Sequence, residues 1–263
     1  MVDSEQCNFN IDLNIVEDYL KKGEVDGFIF VHVLGVPHRR KELSFLKEKY
    51  GCYILEDSCA SVGAKFGNGD YIGTVGDMST FSFYFGHQLS TIEGGFINTS
   101  DKTLYTELLK LRSHGWVKDI ANDEWRKHED FPFVFLEPGF NVRPTDFQAY
   151  IGLGQIDKAE SIFEKRSQNH IRYTQKLSNR FEWQDWKRAT PVSLHIGILA
   201  ESNEHRKRVI KKCHENGIET RIWSHGNLGK HKFWTDRFGE FNGDVSNRIY
   251  ERGFIVPTHP SID

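Results

Sequence analysis

Cysteine is scarce. Only Cys7, Cys52, Cys59 and Cys213 occur in 263 residues, too scattered, with no Cys-x-x-Cys pair among them, to suggest a disulfide framework, a metal site or an iron–sulfur cluster. So little thiol chemistry fits a reducing cytoplasm. Long apolar runs are also missing: none approaches the roughly 20 residues a membrane helix requires, so the chain reads as soluble, with no membrane partner. Asp3, Glu5, Asp12, Glu17 and Asp18 crowd the N-terminus, which therefore lacks the basic-then-apolar order of an export signal. Excess charge of one sign is absent as well. A formal net charge of −3 gives no electrostatic footprint for nucleic acid, and the locally basic stretch from Glu204 to Lys212 reads as the solvated face of a helix.

What is present is an alternation of helical and strand patterns. Asp12 is placed to cap a helix over 13–22, where Leu13, Val16, Tyr19 and Leu20 recur at helical spacing before Gly23. The nearly continuous apolar run from Gly27 to Leu34 predicts a strand buried on both faces. A helix over 39–50 and a short strand from Cys52 to Leu55, ending in Glu56-Asp57, follow. Helix and strand by turns build a parallel sheet through right-handed crossovers, and ligands gather at the carboxyl ends of its strands. Asp57 stands at such an end.

From Met78 to Phe85, Phe81, Phe83 and Phe85 alternate with Thr80, Ser82 and Tyr84, a period-two strand that stops at Gly86-His87. After Glu93-Gly94-Gly95 come a strand at 96–99 and a helix capped by Asp101. Residues 116–139 are charged, aromatic and aperiodic, which predicts a long functional loop. Two helical segments over 145–177 lead into a β-α-β pattern at 193–199, 203–216 and 218–222. The expected architecture is α/β: residues 1–165 on a mostly parallel sheet flanked by helices, and 166–263 as a small α+β domain.

Taken singly, the polar residues at these strand ends have plain explanations. A Glu-Asp pair is most often a turn or cap, and a lone histidine is most often structural. In order along the chain, however, stand Leu55-Glu56-Asp57-Ser58-Cys59-Ala60-Ser61-Val62-Gly63-Ala64, then Gly76-Asp77 with Phe81-Ser82-Phe83-Tyr84, then His87 with Glu93-Gly94-Gly95, and finally Gly139-Phe140-Asn141-Val142-Arg143-Pro144. These four blocks resemble the DegT/StrS-type sugar aminotransferases, a branch of the fold-type I pyridoxal-phosphate enzymes.

The resemblance implies a role for each matching residue. Asp57 would pair with the pyridine nitrogen of the cofactor, keeping it protonated so that the ring can accept electrons. Ser82 would bind the cofactor phosphate, and Asn141 would reach the phosphate of a neighbouring subunit's cofactor across a homodimer interface. His87 stands where the family has the lysine that bonds covalently to the cofactor. Imidazole cannot form that imine, so pyridoxamine or pyridoxal phosphate would be held non-covalently, with His87 left to move protons. A histidine at that position, and the segment Arg112-Ser113-His114-Gly115-Trp116, resemble the nucleotide-sugar 3-dehydratase branch, which removes the C3 hydroxyl of a nucleotide-linked 4-keto-6-deoxy sugar, with glutamate as the implied amino donor. His114, Arg143, Arg221 and Asn227 would lie on the substrate side, arginine being suited to carboxylate or phosphate.

The chain departs from the family pattern in three ways. Ala60 replaces the glutamine or acid usual three positions after the aspartate. The family also has a phosphate-cradling helix start ahead of the point where this chain begins, and a final helix beyond its end. These departures imply a chain truncated at both ends with an open cofactor site. A sugar aminotransferase homologue and a non-catalytic protein that binds sugar nucleotides stand as alternatives.

Overall fold

The computed structural model describes residues 1–223 and 226–262. In chain order its elements are α1 (Leu13–Lys21), β1 (Gly27–Val31), α2 (Arg40–Tyr50), β2 (Tyr53–Asp57), β3 (Lys65–Phe66), β4 (Met78–Ser82), β5 (Gly95–Asn98), α3 (Lys102–Arg112), α4 (Asp123–Arg126), α5 (Asp146–Ile156) and α6 (Ala159–Lys176). They are followed by β6 (Glu182–Trp183), β7 (Ala189–Thr190), β8 (His195–Leu199), α7 (Asn203–Glu215), β9 (Arg221–Ile222), α8 (Lys232–Phe238), α9 (Asp244–Arg252) and β10 (Gly253–Pro257). No helix among the described residues is long and apolar enough to cross a membrane.

Two sheets organise the molecule. The first has the order β1-β2-β4-β5, with β1, β2 and β4 parallel and β5 antiparallel at one edge. The second, β6-β8-β10-β9, is antiparallel in every pairing. The continuous helix α6 spans the expected boundary at residue 165 and carries the chain from one sheet to the other. The cores also meet: Phe9 and Leu34 from the first half pack with Trp223, Val245, Ile249 and Ile255 from the second.

Helices α1 and α2 seal one face of the first sheet, burying Leu13, Val16, Leu20, Leu43 and Leu46 against Phe30 and Ile54. Asp12 caps α1 by accepting from the Asn14 N–H, as expected. The other face is open. Ile29 is 65 % exposed and Tyr53 69 %, which corrects the expectation of a strand buried on both sides. The apolar run from Gly27 to Leu34 read as doubly buried because hydrophobicity marks what a strand can bury, and only packed helices decide which side it does bury.

Other boundaries also moved. The strand from Met78 ends at Ser82, three residues before the aromatic alternation does, because Phe83, Tyr84 and Phe85 enter the turn that carries His87. Within the long loop, Val117 is fully buried and its N–H donates to the Val134 carbonyl, so part of that segment is core. Ile218 to Ile222 shrinks to the two residues of β9.

Candidate active site

The two-residue period of β2 separates the adjacent acids Glu56 and Asp57. Glu56 points into the sealed face, where its carboxylate accepts from the N–H groups of Gly73 (2.9 Å), Val75 (2.7 Å) and Gly76 (2.6 Å) and lies 3.1 Å from His32 Nε2. Burial pushes that carboxyl up, but the His32 ring and these N–H groups outweigh burial and hold it below the usual carboxylate range. Asp57 points to the open face. The register pairs it with Thr80 of β4, whose next same-face neighbour is Ser82. Asp57 Oδ1 accepts from the Cys59 N–H at 3.0 Å, and Ser82 Oγ accepts from the Tyr84 N–H at 3.1 Å, which leaves the serine hydroxyl hydrogen free to donate.

Beyond Ser82 the chain turns tightly. The His87 N–H donates to the Tyr84 carbonyl at 3.0 Å, and the His87 ring meets the Tyr84 ring edge-on at 5.8 Å. His87 Nδ1 is buried without a hydrogen-bond partner. Burial lowers the His87 pKa, partly opposed by the Ser82 and Cys59 carbonyls and the Asp57 carboxylate, while Arg166 pushes it further down. The neutral form of the imidazole is thus favoured. The Cys59 thiol, pushed up to about 11 by burial and by the adjacent Asp57 carboxylate, is inert as a nucleophile. Asp57, Ser82 and His87 therefore converge at the carboxyl ends of β2 and β4.

Three residues that motif reading missed stand beside them. Gln88 is buried next to His87, Arg166 reaches from α6, and His195 opens β8. Burial lowers the His195 pKa, and Arg221, Arg166 and His87 lower it further, which places these groups in one electrostatic neighbourhood. Arg166 donates to the carbonyls of Ser193 (3.2 Å) and Leu194 (3.3 Å), and burial pulls its pKa down to about 10. Only the adjacency of Gln88 to His87 was available in the sequence as a signal. The partners of Arg166 are backbone atoms, which leave no side-chain pattern.

The remaining expected residues divide. Asn141 and Arg143 lie exposed on a segment laid against the end of α3, where Ser113 bridges Asn141 and the His114 N–H donates to the Phe140 carbonyl at 2.7 Å. His114 is exposed beside them. Arg221 is exposed and paired with Glu219 at 2.8 Å. Asn227 lies deeper than these. Its side chain is buried, donates to Asn247 Oδ1 (3.0 Å) and the Phe241 carbonyl (3.4 Å), and accepts from the Gly229 N–H (2.9 Å). Both of its amide hydrogens are thus spent on residues 241 and 247, which leaves only its oxygen with a lone pair to offer.

The chain is similar to known proteins over nearly its whole length. GDP-4-keto-6-deoxy-D-mannose 3-dehydratase of Yersinia pseudotuberculosis is 34% identical over 271 residues, covering 98% of this chain and 68% of that protein. The Escherichia coli GDP-4-keto-6-deoxy-D-mannose-3-dehydratase structure with bound hydrated PLP superposes with a TM-score of 0.88 at 26% identity, covering 98% of this chain and 69% of that one. A GDP-4-keto-6-deoxymannose-3-dehydratase structure with a trapped PLP-glutamate geminal diamine gives 0.88 at 26% identity, covering 98% and 70%. The chain thus spans about two thirds of the length of these relatives. The DegT/DnrJ/EryC1/StrS aminotransferase family model matches residues 1–263, the whole chain, and the protein belongs to that family.

Proposed function

We propose that the protein is a nucleotide-sugar 3-dehydratase that uses pyridoxamine or pyridoxal phosphate non-covalently and removes the C3 hydroxyl of a nucleotide-linked 4-keto-6-deoxy sugar. The observation that carries this reading is His87: an imidazole with a buried, unpartnered Nδ1, in the turn that follows β4 beside the end of β2, at the position of the family's lysine. The residues present fit the cofactor. Asp57 offers an open-face carboxylate for a protonated ring nitrogen and Ser82 a free hydroxyl hydrogen for a phosphate oxygen. When bound, the cofactor would supply an electron sink, its protonated ring, for the electrons left when the adjoining carbon loses a proton. His87 would accept that proton and, once protonated, would be the acid for the departing hydroxyl. An aminotransferase reading is disfavoured because position 87 has no amine to bond the cofactor.

Other parts of the reading rest on the surface. Phe147, Tyr150, Leu153 and Ile156 of α5 are all exposed, Tyr150 by 75 %, and they adjoin the segment of Asn141 and Arg143. This apolar face supports a homodimer in which Asn141 approaches the partner's cofactor phosphate. Tyr150→Asp should then yield monomers in sedimentation. Glutamate is the proposed amino donor, His114, Arg143 and Arg221 the sugar-nucleotide contacts, and the cytoplasm the location, since all four cysteines are free thiols.

The test has two arms. Treating His87→Lys with pyridoxal phosphate and borohydride should leave a reduced adduct at position 87, whereas the native chain leaves none. With pyridoxamine phosphate and GDP-4-keto-6-deoxymannose, the product should be one oxygen lighter by mass spectrometry, and His87→Asn should slow its formation about 10²–10⁴-fold. Undiminished deoxygenation by His87→Asn would refute the assignment and make His114 the next residue to test.

A further inference from the structure

Gln88 makes contacts that proton transfer itself does not call for. It is only 4 % exposed, and its Nε2 donates to two carbonyls from distant parts of the chain: Ala60 at 2.8 Å, in the turn after Asp57, and Val192 at 2.9 Å, on the strap entering β8. One amide thus joins the Asp57 turn, the His87 turn and the entrance to the second sheet. The strap is rigid. Arg166 holds the carbonyls of Ser193 and Leu194, the Thr258 hydroxyl donates to the Ser193 carbonyl, and His170 Nδ1 lies 2.7 Å from Ser193 Oγ. Behind it, the Val192 N–H donates to the Gly35 carbonyl at 3.0 Å, and a side chain at Gly35 would come within 2.4 Å of the Val192 oxygen.

We propose that Gln88 is a positioning residue for His87, fixing the imidazole over the Asp57 turn by anchoring it to the strap at residues 192–194. A buried glutamine with both amide hydrogens spent on backbone carbonyls cannot rotate without stranding them, so the adjacent residue is held in one place. The groups facing His87 come from three other elements, Asp57 at the end of β2, Arg166 on α6 and His195 on β8, and each depends on the same strap or turn. The inference rests on the reading of His87 as the proton carrier, but its first measurement does not.

The molecule contains its own control. Gln184 is equally buried, and its Nε2 donates to the carbonyls of Asn8 (2.8 Å) and Val33 (3.1 Å), away from His87. In the chain without cofactor or sugar, the His87 imidazole is followed by nitrogen NMR, its signal assigned by loss in His87→Asn. Gln88→Leu should shift the His87 titration upward toward the ordinary imidazole range, because a loosened turn loses the burial that lowers it. Gln184→Leu should reduce thermal stability comparably and leave that titration in place. In turnover, Gln88→Leu should lower kcat about 100-fold, the cost of misplacing a reacting group by about 1 Å, with KM for the sugar changed by less than about twofold. If Gln88→Leu does not fold, Gln88→Asn, which is too short to keep both bonds, is read in the same way. A folded Gln88 variant with an unmoved His87 titration overturns the proposal. A moved titration combined with full deoxygenation by His87→Asn overturns the function of His87 and leaves the positioning intact.

Discussion

The same sheet carries a histidine and a carboxylate on each of its two faces, and the two sets differ in nearly every respect. On the sealed face, His32 and Glu56 are fully buried and every strong donor and acceptor is used: His32 Nδ1 accepts from the His38 N–H at 3.0 Å, and Glu56 accepts from three backbone N–H groups. On the open face, Asp57 accepts from the Cys59 N–H, and His87 Nδ1 has no hydrogen-bond partner among the described residues. A satisfied buried pair fixes the fold, since losing any member strands the others. An unsatisfied pair at strand ends is poised for a ligand. The two pairs share residue types and differ in how many of their polar atoms the protein itself satisfies.

The contrast can be broken most strongly at Glu56. Glu56→Ala leaves three N–H groups and His32 without their acceptor, and should cost about 3–5 kcal/mol in urea unfolding. A loss below about 1 kcal/mol would show that the sealed pair is not structural. Acid should act next. His38 and His170 are held neutral by burial, with folded pKa values of about 3. For a histidine lowered in this way, stability is fully present above the unfolded value of roughly 6.5 and is lost as pH falls from there toward the folded value. Between pH 6.5 and 5 each should cost about 1.5 kcal/mol, and His170→Gln should remove its share of the slope.

A smaller effect sharpens the contrast between the two asparagines. Asn227→Ala should destabilise by about 1–3 kcal/mol, having lost a buried amide, whereas exposed Asn141→Ala should stay within about 0.5 kcal/mol. Smallest of all is Asp57→Asn. Its unfolding free energy should change by less than about 0.5 kcal/mol, while calorimetry with pyridoxamine phosphate shows weakened binding. A large stability loss there would make Asp57 a second Glu56.

Much of this was legible in the chain. The helix starts at Asp12 and Asp101, the strand ending at Asp57 and the turn at His87 follow from caps, periodicity and glycine, which act over a few residues. The extent of the strands was not, because Phe83 and Phe85 suit a strand as well as a turn. Nor was the burial of Asn227, because an asparagine beside glycine looks the same whether its amide is exposed or packed against distant residues.

By itself, then, the sequence determined the alternation that builds the parallel sheet, the family blocks and the histidine at a lysine position, since these depend on local spacing and on which atoms a side chain has. The tertiary structure decided which face of β2 was sealed, and so which of two adjacent acids became structural and which stayed open. It also decided that Gln88, Arg166 and His195 meet at the strap of residues 192–194. Gln88 and Arg166 reach it through backbone carbonyls 104 and 27 to 28 residues away along the chain, and carbonyls are the same in every residue.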